Sequence, residues 1–213
     1  MIKISPSLVS APFLRLDQAI HDLEAADADM VHFDIEDGCF VPVMNLGLKS
    51  IRELRPLTKL PFDVHLMMVN PEWIIPVLAD YGVDRLSVHY EACPYPRRIL
   101  KLIARHGMQA GLAFNPKTPI PDLNFCLPYL SFVVLLTTEP EEWSGEYLPS
   151  VLNKVRKNKE KYKNVEWVVD GGVNFDNIQD IYSAGADVVV SGRTIFEDGK
   201  IVENIKELKE KCL

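Results

Sequence analysis

Along the chain, short apolar runs alternate with longer stretches whose apolar positions recur every three or four residues. Eight runs read as strands: IKIS (2–5), MVHFDI (30–35), PFDVHLM (61–67), RLSVHY (85–90), QAGLAF (109–114), SFVVLL (131–136), VEWVVD (165–170) and DVVVSG (187–192). Most are continuously apolar rather than alternating, as parallel strands covered on both faces should be. Between them, RLDQAIHDLEAA (15–26), PEWIIPVLADYG (71–82), YPRRILKLIARHG (95–107) and FDNIQDIYSAG (175–185) read as amphipathic helices, and IVENIKELKEKCL as the last helix. In the first of these, Leu16, Ala19, Ile20 and Leu23 share one face. Pro71 and Pro96 stand near helix starts, where a missing N–H costs little. Several helical stretches end in Gly, a common stop. Eight β–α units in 213 residues predict an α/β fold, a (β/α)8 TIM barrel running as one domain over 1–213. A doubly wound sheet is disfavoured, because no G-x-G-x-x-G follows the first strand.

Composition narrows the function classes. Hydrophobic residues make up 47% and charged residues 25%, with a formal net charge of -7. Ordinary apolar content supplies a full core, while the acidic balance argues against a nucleic-acid-binding surface or a polybasic membrane patch. No apolar run approaches the ~20 residues needed to span a bilayer, and the N-terminus runs straight into strand-like sequence. Cys39, Cys93, Cys126 and Cys212 are scattered, without the spacing of a metal motif or the density of a disulfide scaffold. The expectation is a soluble protein of a reducing compartment, the cytoplasm.

Chemistry in such barrels sits at the C-terminal ends of strands, and here those ends carry an unusual polar set. His32 and Asp34 lie two positions apart and so point the same way from a strand. His65 ends the next strand, and Asp170 ends the seventh. Two imidazoles and two carboxylates converging in a barrel predict a divalent-metal site, with zinc, iron, manganese and cobalt all compatible with such ligands. A single strand-end histidine is more often a core residue with a satisfied hydrogen bond; four groups converging are not. His89 ends a strand too and reads as a residue that orients the site, whereas His21 and His106 fall on helix surfaces. Gly171-Gly172 and Ser191-Gly192-Arg193 follow adjacent strands. Backbone N–H groups in that position commonly hold a phosphate, and Arg193 adds charge.

Taken together these residues resemble the ribulose-phosphate 3-epimerase family. The resemblance rests on SPSLVSA (5–11), HFDIEDGCFVP (32–42), DVHLM (63–67), HYE (89–91), GLAFNPKTP (111–119), VDGGV (169–173) and GADVVVSGRTIF (185–196). It implies a ribulose-phosphate-binding type of barrel with one divalent metal, zinc first among the candidates, and inversion of C3 in a ketose phosphate. D-ribulose 5-phosphate and D-xylulose 5-phosphate are the default pair. By position it implies His32, Asp34, His65 and Asp170 as metal ligands, with Asp34 and Asp170 doubling as the two acid/base groups. It also implies that Ser7 contacts the substrate, that Met67 packs near the reacting carbons, and, by analogy, that the chain forms a homo-oligomer.

Several departures from the family pattern stand out. Glu36 replaces a methionine in the M-D-G element, while a second methionine, on strand six, becomes Leu136. The glycine-rich loop after strand six is replaced by Pro140-Glu141-Glu142-Trp143-Ser144-Gly145-Glu146-Tyr147, and F-V-P-N-x-T becomes Phe40-Val41-Pro42-Val43-Met44-Asn45. Arg193 stands where the family commonly has serine. The reaction type is thus expected to survive while the choice of substrate is open to change; alternatives are a six-carbon ketose phosphate such as allulose 6-phosphate, and a non-catalytic sugar-phosphate-binding relative. A Schiff-base aldolase or a related decarboxylase would need a strand-end lysine, and none is present.

Overall fold

The computed structural model describes residues 2–140 and 145–212. Its eight strands are β1 (Lys3–Pro6), β2 (Val31–Glu36), β3 (Phe62–Met67), β4 (Arg85–His89), β5 (Gln109–Phe114), β6 (Phe132–Leu136), β7 (Glu166–Asp170) and β8 (Val188–Ser191). All neighbours pair parallel, in the order β1-β8-β7-β6-β5-β4-β3-β2. The circle closes between β1 and β2 through a parallel bridge of Ser7 and His32. All eight expected strands form, and the architecture is a (β/α)8 barrel.

The helices are α1 (Leu16–Ala25), α2 (Leu48–Leu54), α3 (Ile75–Asp80), α4 (Pro96–Arg105), α5 (Leu152–Asn158), α6 (Ile178–Ser183), α7 (Arg193–Phe196) and α8 (Ile201–Glu210). Their buried stripes, such as Ile99, Leu100 and Ile103 of α4, face the outer side of the sheet and form one continuous core with Trp167, Phe33 and Phe62. Each such side chain, fully buried, contributes about 1.5–3 kcal/mol.

The expected regular alternation fails between β5 and β6. Among the described residues no helix lies there; residues 124–129 form turns held by bonds such as Cys126 N–H to the Leu123 carbonyl. Pro116, Pro119, Pro121 and Pro128 crowd this connection, and each removes a donor and a helical partner. The stretch expected as a helix over 71–82 also divides, into a 3₁₀ turn Pro71–Trp73 and α3.

The barrel interior is divided in two. Strands β5 to β8 contribute an apolar lining of Ala113, Phe132, Val134, Leu136, Val168, Val188 and Val190. Strands β1 to β4 instead bury Ser5, His32, Asp63, His65, Arg85, Ser87 and His89. Burying so many polar groups is costly unless they bond one another, and most of them do.

Candidate metal centre and active site

Strand periodicity puts His32, Asp34 and Glu36 on one face of β2, and the register sets Asp34 beside His65 and Glu36 beside Met67. Asp170 ends β7 on the far side of the β1–β8 pair. One ligand atom from each of His32, Asp34, His65 and Asp170 lies within 4.8 Å of all the others. His32 Nε2 is 3.1 Å from Asp34 Oδ1 and 3.8 Å from Asp170 Oδ2; His65 Nδ1 is 3.4 Å and 3.5 Å from the same two oxygens.

The surrounding bonds fix which nitrogen of each ring faces inward. His32 Nδ1 lies 3.0 Å from Asp63 Oδ2, so a proton sits there and Nε2 is the nitrogen that faces the Asp34 and Asp170 carboxylates. Glu91 Oε2 lies 3.2 Å from His89 Nδ1, and His89 Nε2 lies 2.9 Å from His65 Nε2. An acceptor carboxylate at one end makes His89 an Nδ1–H tautomer that accepts from His65 Nε2–H. That leaves His65 Nδ1 aimed at the cluster, and this buried atom has no hydrogen-bond partner among the described residues.

Electrostatics report the same demand for positive charge. Burial alone would lower the pKa of His32, but the Asp34 charge and the bonds to Asp34 and Asp63 raise it well above its ordinary value. His65 is likewise raised against its burial, by Asp170 and Asp34. Burial opposes ionisation of Asp34, yet the two imidazoles hold its carboxyl far below the usual range. Two neutral-capable imidazoles, two carboxylates and an orphaned inward nitrogen together fit a divalent ion of the zinc, iron, manganese or cobalt type.

Support for the cluster runs down to the N-terminal mouth of the barrel. Arg85 Nε bonds Asp63 Oδ1 at 3.3 Å and Arg85 Nη1 bonds Glu166 Oε1 at 2.5 Å, while Lys3 Nζ meets Glu166 Oε2 at 2.6 Å. Sequence reasoning assigned no role to Asp63 or Glu91. The signal was present: Asp63-x-His65 and His89-x-Glu91 repeat the same-face spacing of His32-x-Asp34.

Two cavities flank the carboxylates. One, of about 360 Å³, is lined by Ser7, Asp34, Asp170, Gly171, Gly172, Gly192 and Arg193, with Thr138, Asn174 and Glu197 among the others. The second, of about 140 Å³, is lined by Asp34, Asp170, Glu36, Met67, Asn45 and Leu136 among others. All ten expected site residues therefore fall at this centre. Ser7 Oγ donates to Asp34 Oδ2 at 2.8 Å, so its hydroxyl holds the carboxylate as well as facing the cavity. Gly171 (φ 105°) and Gly172 (φ 67°) adopt backbone that disfavours side chains, and a Cβ at Gly171 would meet Thr138 Oγ1 at 2.6 Å. A Cβ at Gly192 would meet Ser10 Oγ at 2.4 Å, so this glycine lets β8 approach the loop after β1. Of the altered loop 140–147, Glu141 to Ser144 lie outside the described residues; Pro140 and Gly145 line the two cavities.

Residues 3–196 match the family model described as the ribulose-phosphate 3 epimerase family. The chain belongs to this family. It is 38% identical over 214 residues to the ribulose-phosphate 3-epimerase of Bacillus subtilis (strain 168), covering 98% of this chain and 99% of that protein. Identity to the ribulose-phosphate 3-epimerase of Escherichia coli (strain K12) is 35% over 211 residues, covering 97% and 94%. Among solved structures, KGPDC from Streptococcus mutans superposes with a TM-score of 0.70 at 17% identity, covering 100% and 97% of the two chains. A 3-hexulose-6-phosphate synthase gives 0.68 at 18%, covering 100% and 99%. These distant structures speak to the barrel alone. As a member of the epimerase family the chain is an isomerase. No helix among the described residues is long and apolar enough to cross a membrane.

Proposed function

We propose that the chain inverts C3 of a ketose phosphate, with D-ribulose 5-phosphate and D-xylulose 5-phosphate as its substrate pair, by two-base proton transfer between Asp34 and Asp170. The observation that carries this reading is the convergence of both carboxylates, from strands on different sides of the barrel, with His32 and His65 within 4.8 Å.

The C3 hydrogen is α to the C2 carbonyl but only weakly acidic. One carboxylate takes that proton, and the electron pair moves toward the C2 oxygen to give an enediolate. The other carboxylate, protonated at the outset, delivers a proton to the opposite face of C3. Their roles exchange when the reaction runs backwards. Ser7 fixes the rotamer of Asp34 through its 2.8 Å bond, and Met67 closes the apolar side of the cavity. His32, His65, Asp34 and Asp170 would hold one divalent ion, zinc first among the candidates. Such an ion, when bound, supplies positive charge against the oxygen anion developing at C2. No organic cofactor is required.

Gly171, Gly172, Gly192 and Arg193 bound one end of the larger cavity, and we assign the substrate's phosphate to that end, where backbone N–H groups and the guanidinium supply donors. Family membership supports a cytoplasmic setting and self-association, the latter open to sedimentation analysis.

The test is C3 proton exchange in heavy water alongside metal analysis of the purified protein. Wild type exchanges the C3 proton of D-ribulose 5-phosphate. Asp34→Asn and Asp170→Asn each lose about 10²–10⁴-fold in turnover. Absence of exchange in wild-type protein with its metal would overturn the reading and favour a non-catalytic binder.

A further inference from the structure

The two cavities meet at Asp34 and Asp170 and share Gly171, Thr138 and Val9. The larger holds the glycines and Arg193; the smaller ends at Glu36, Asn45, Met67 and Leu136. Met67, Leu136 and Val43 give this cavity apolar walls, and Glu36 and Glu139 set carboxylates among them; of the two, Glu36 stands beside Met67 on the same strands as the ligands. Glu36 is half-buried beside Met67 in the strand register. Asn45 Nδ2 donates to Glu36 Oε2 at 2.6 Å, and among the described residues no other side chain bonds this carboxylate. Asn45 comes from the loop after β2, whose far end is tied back to the strand by the parallel bridge of Ile35 and Leu46. One carboxylate oxygen is therefore anchored, and the group retains acceptor capacity toward the cavity it lines.

A half-buried acceptor set beside apolar side chains such as Met67 and Leu136 favours a donor from whatever fills the pocket. With C3 between Asp34 and Asp170 and the phosphate at the Gly171–Arg193 end, the atoms beyond C3 are the C2 carbonyl and the C1 hydroxymethyl group. The C1 hydroxyl is the only donor on that side of a 2-ketose phosphate.

We propose that Glu36, positioned by Asn45, is a specificity-determining residue that accepts a hydrogen bond from the C1 hydroxyl of the substrate. The inference rests on the ketose-phosphate reading above. It makes the smaller cavity a hydroxymethyl subsite that discriminates against a substrate ending in a methyl group, because such a substrate leaves the carboxylate without its donor. A site built around a hydroxyl rejects the analogue lacking it far more strongly than an apolar pocket rejects an extra hydroxyl.

The test compares D-xylulose 5-phosphate with 1-deoxy-D-xylulose 5-phosphate, which differ only in the C1 hydroxyl, using C3 proton exchange in heavy water by the metal-loaded protein. Wild type favours the hydroxylated compound by about a hundredfold or more in kcat/KM. Glu36→Met, similar in bulk and apolar, lowers that ratio about tenfold or more, losing on the first compound and gaining on the second. Glu36→Gln, which keeps an acceptor oxygen, retains most of the preference. A wild-type ratio within about threefold of unity, or a ratio unchanged in Glu36→Met, overturns the assignment while leaving the epimerase reading intact. Should Glu36→Met fold poorly, Asn45→Leu, which releases the carboxylate from its anchor, must still lower the ratio; no change there also overturns the proposal. Exchange of neither compound by wild type removes the underlying reading, and this inference with it.

Discussion

His32 Nδ1 sits 3.0 Å from Asp63 Oδ2, inside a barrel where both side chains are almost fully buried. Asp63 is not one of the four clustered ligands; it decides which nitrogen of His32 faces them. Burial would push the Asp63 carboxyl up, but His32 and Arg85 hold it below the usual range, so it stays ionised and remains an acceptor. Asp63→Asn keeps the shape and weakens the acceptor. The expected outcome is a fall in divalent-metal affinity of about 10–100-fold, measured by competition with a chromogenic chelator. Unchanged affinity would mean that His32 needs no outer anchor.

The second prediction concerns acid. Burial drives the pKa of His89 down to about 4 from an ordinary 6.5, against the pull of Glu91. Glu91, despite its own burial, is lowered to about 2 by its bonds to His89, Thr118 and the Asn115 N–H, so it stays ionised throughout the relevant range. Between pH 6.5 and about 4 the unfolded chain binds a proton at this histidine that the folded chain refuses. Stability attributable to His89 is thus fully present above pH 6.5 and falls as pH drops toward 4, by on the order of 3 kcal/mol. Urea unfolding at several pH values should show this slope in wild type and a shallower one in His89→Gln. Parallel slopes would count against a neutral, buried His89.

Much of this is legible in the chain because strand signals and site residues coincide. Apolar runs mark all eight strands, and the charged residues interrupting them, such as His32 and Asp34 within MVHFDI, are the ones that the barrel turns inward. The connection after β5 reads as one more β–α unit because its apolar residues, Leu123, Cys126 and Leu130, are buried as a helix's would be; prolines prevent the helix but not the burial. The roles of Asp63, Arg85 and Glu91 depend on partners distant in sequence. Arg85 reaches Glu166, 81 positions away, and no local pattern encodes that pairing. Glu36 lies between these cases: visible as a departure from the family pattern, but without a role until the structure places Asn45 against it.

The last prediction tests the end of the cavity assigned to phosphate. Gly171 has φ 105°, and a Cβ there would meet the Thr138 hydroxyl at 2.6 Å and its backbone N at 3.0 Å. Gly107 also has a positive φ, 84°, but a Cβ there would meet nothing within 4 Å, and it lies in the turn between α4 and β5, at the opposite end of the barrel. Alanine at either position forces the same kind of strained backbone, costing about 1–3 kcal/mol. Only Gly171→Ala also displaces the loop that borders Arg193 and Gly192. Both variants should lose thermal stability. Gly171→Ala should raise KM for the sugar phosphate about tenfold and weaken inhibition by inorganic phosphate in parallel, whereas Gly107→Ala should leave both unchanged. Equal effects of the two variants on KM would place the phosphate elsewhere.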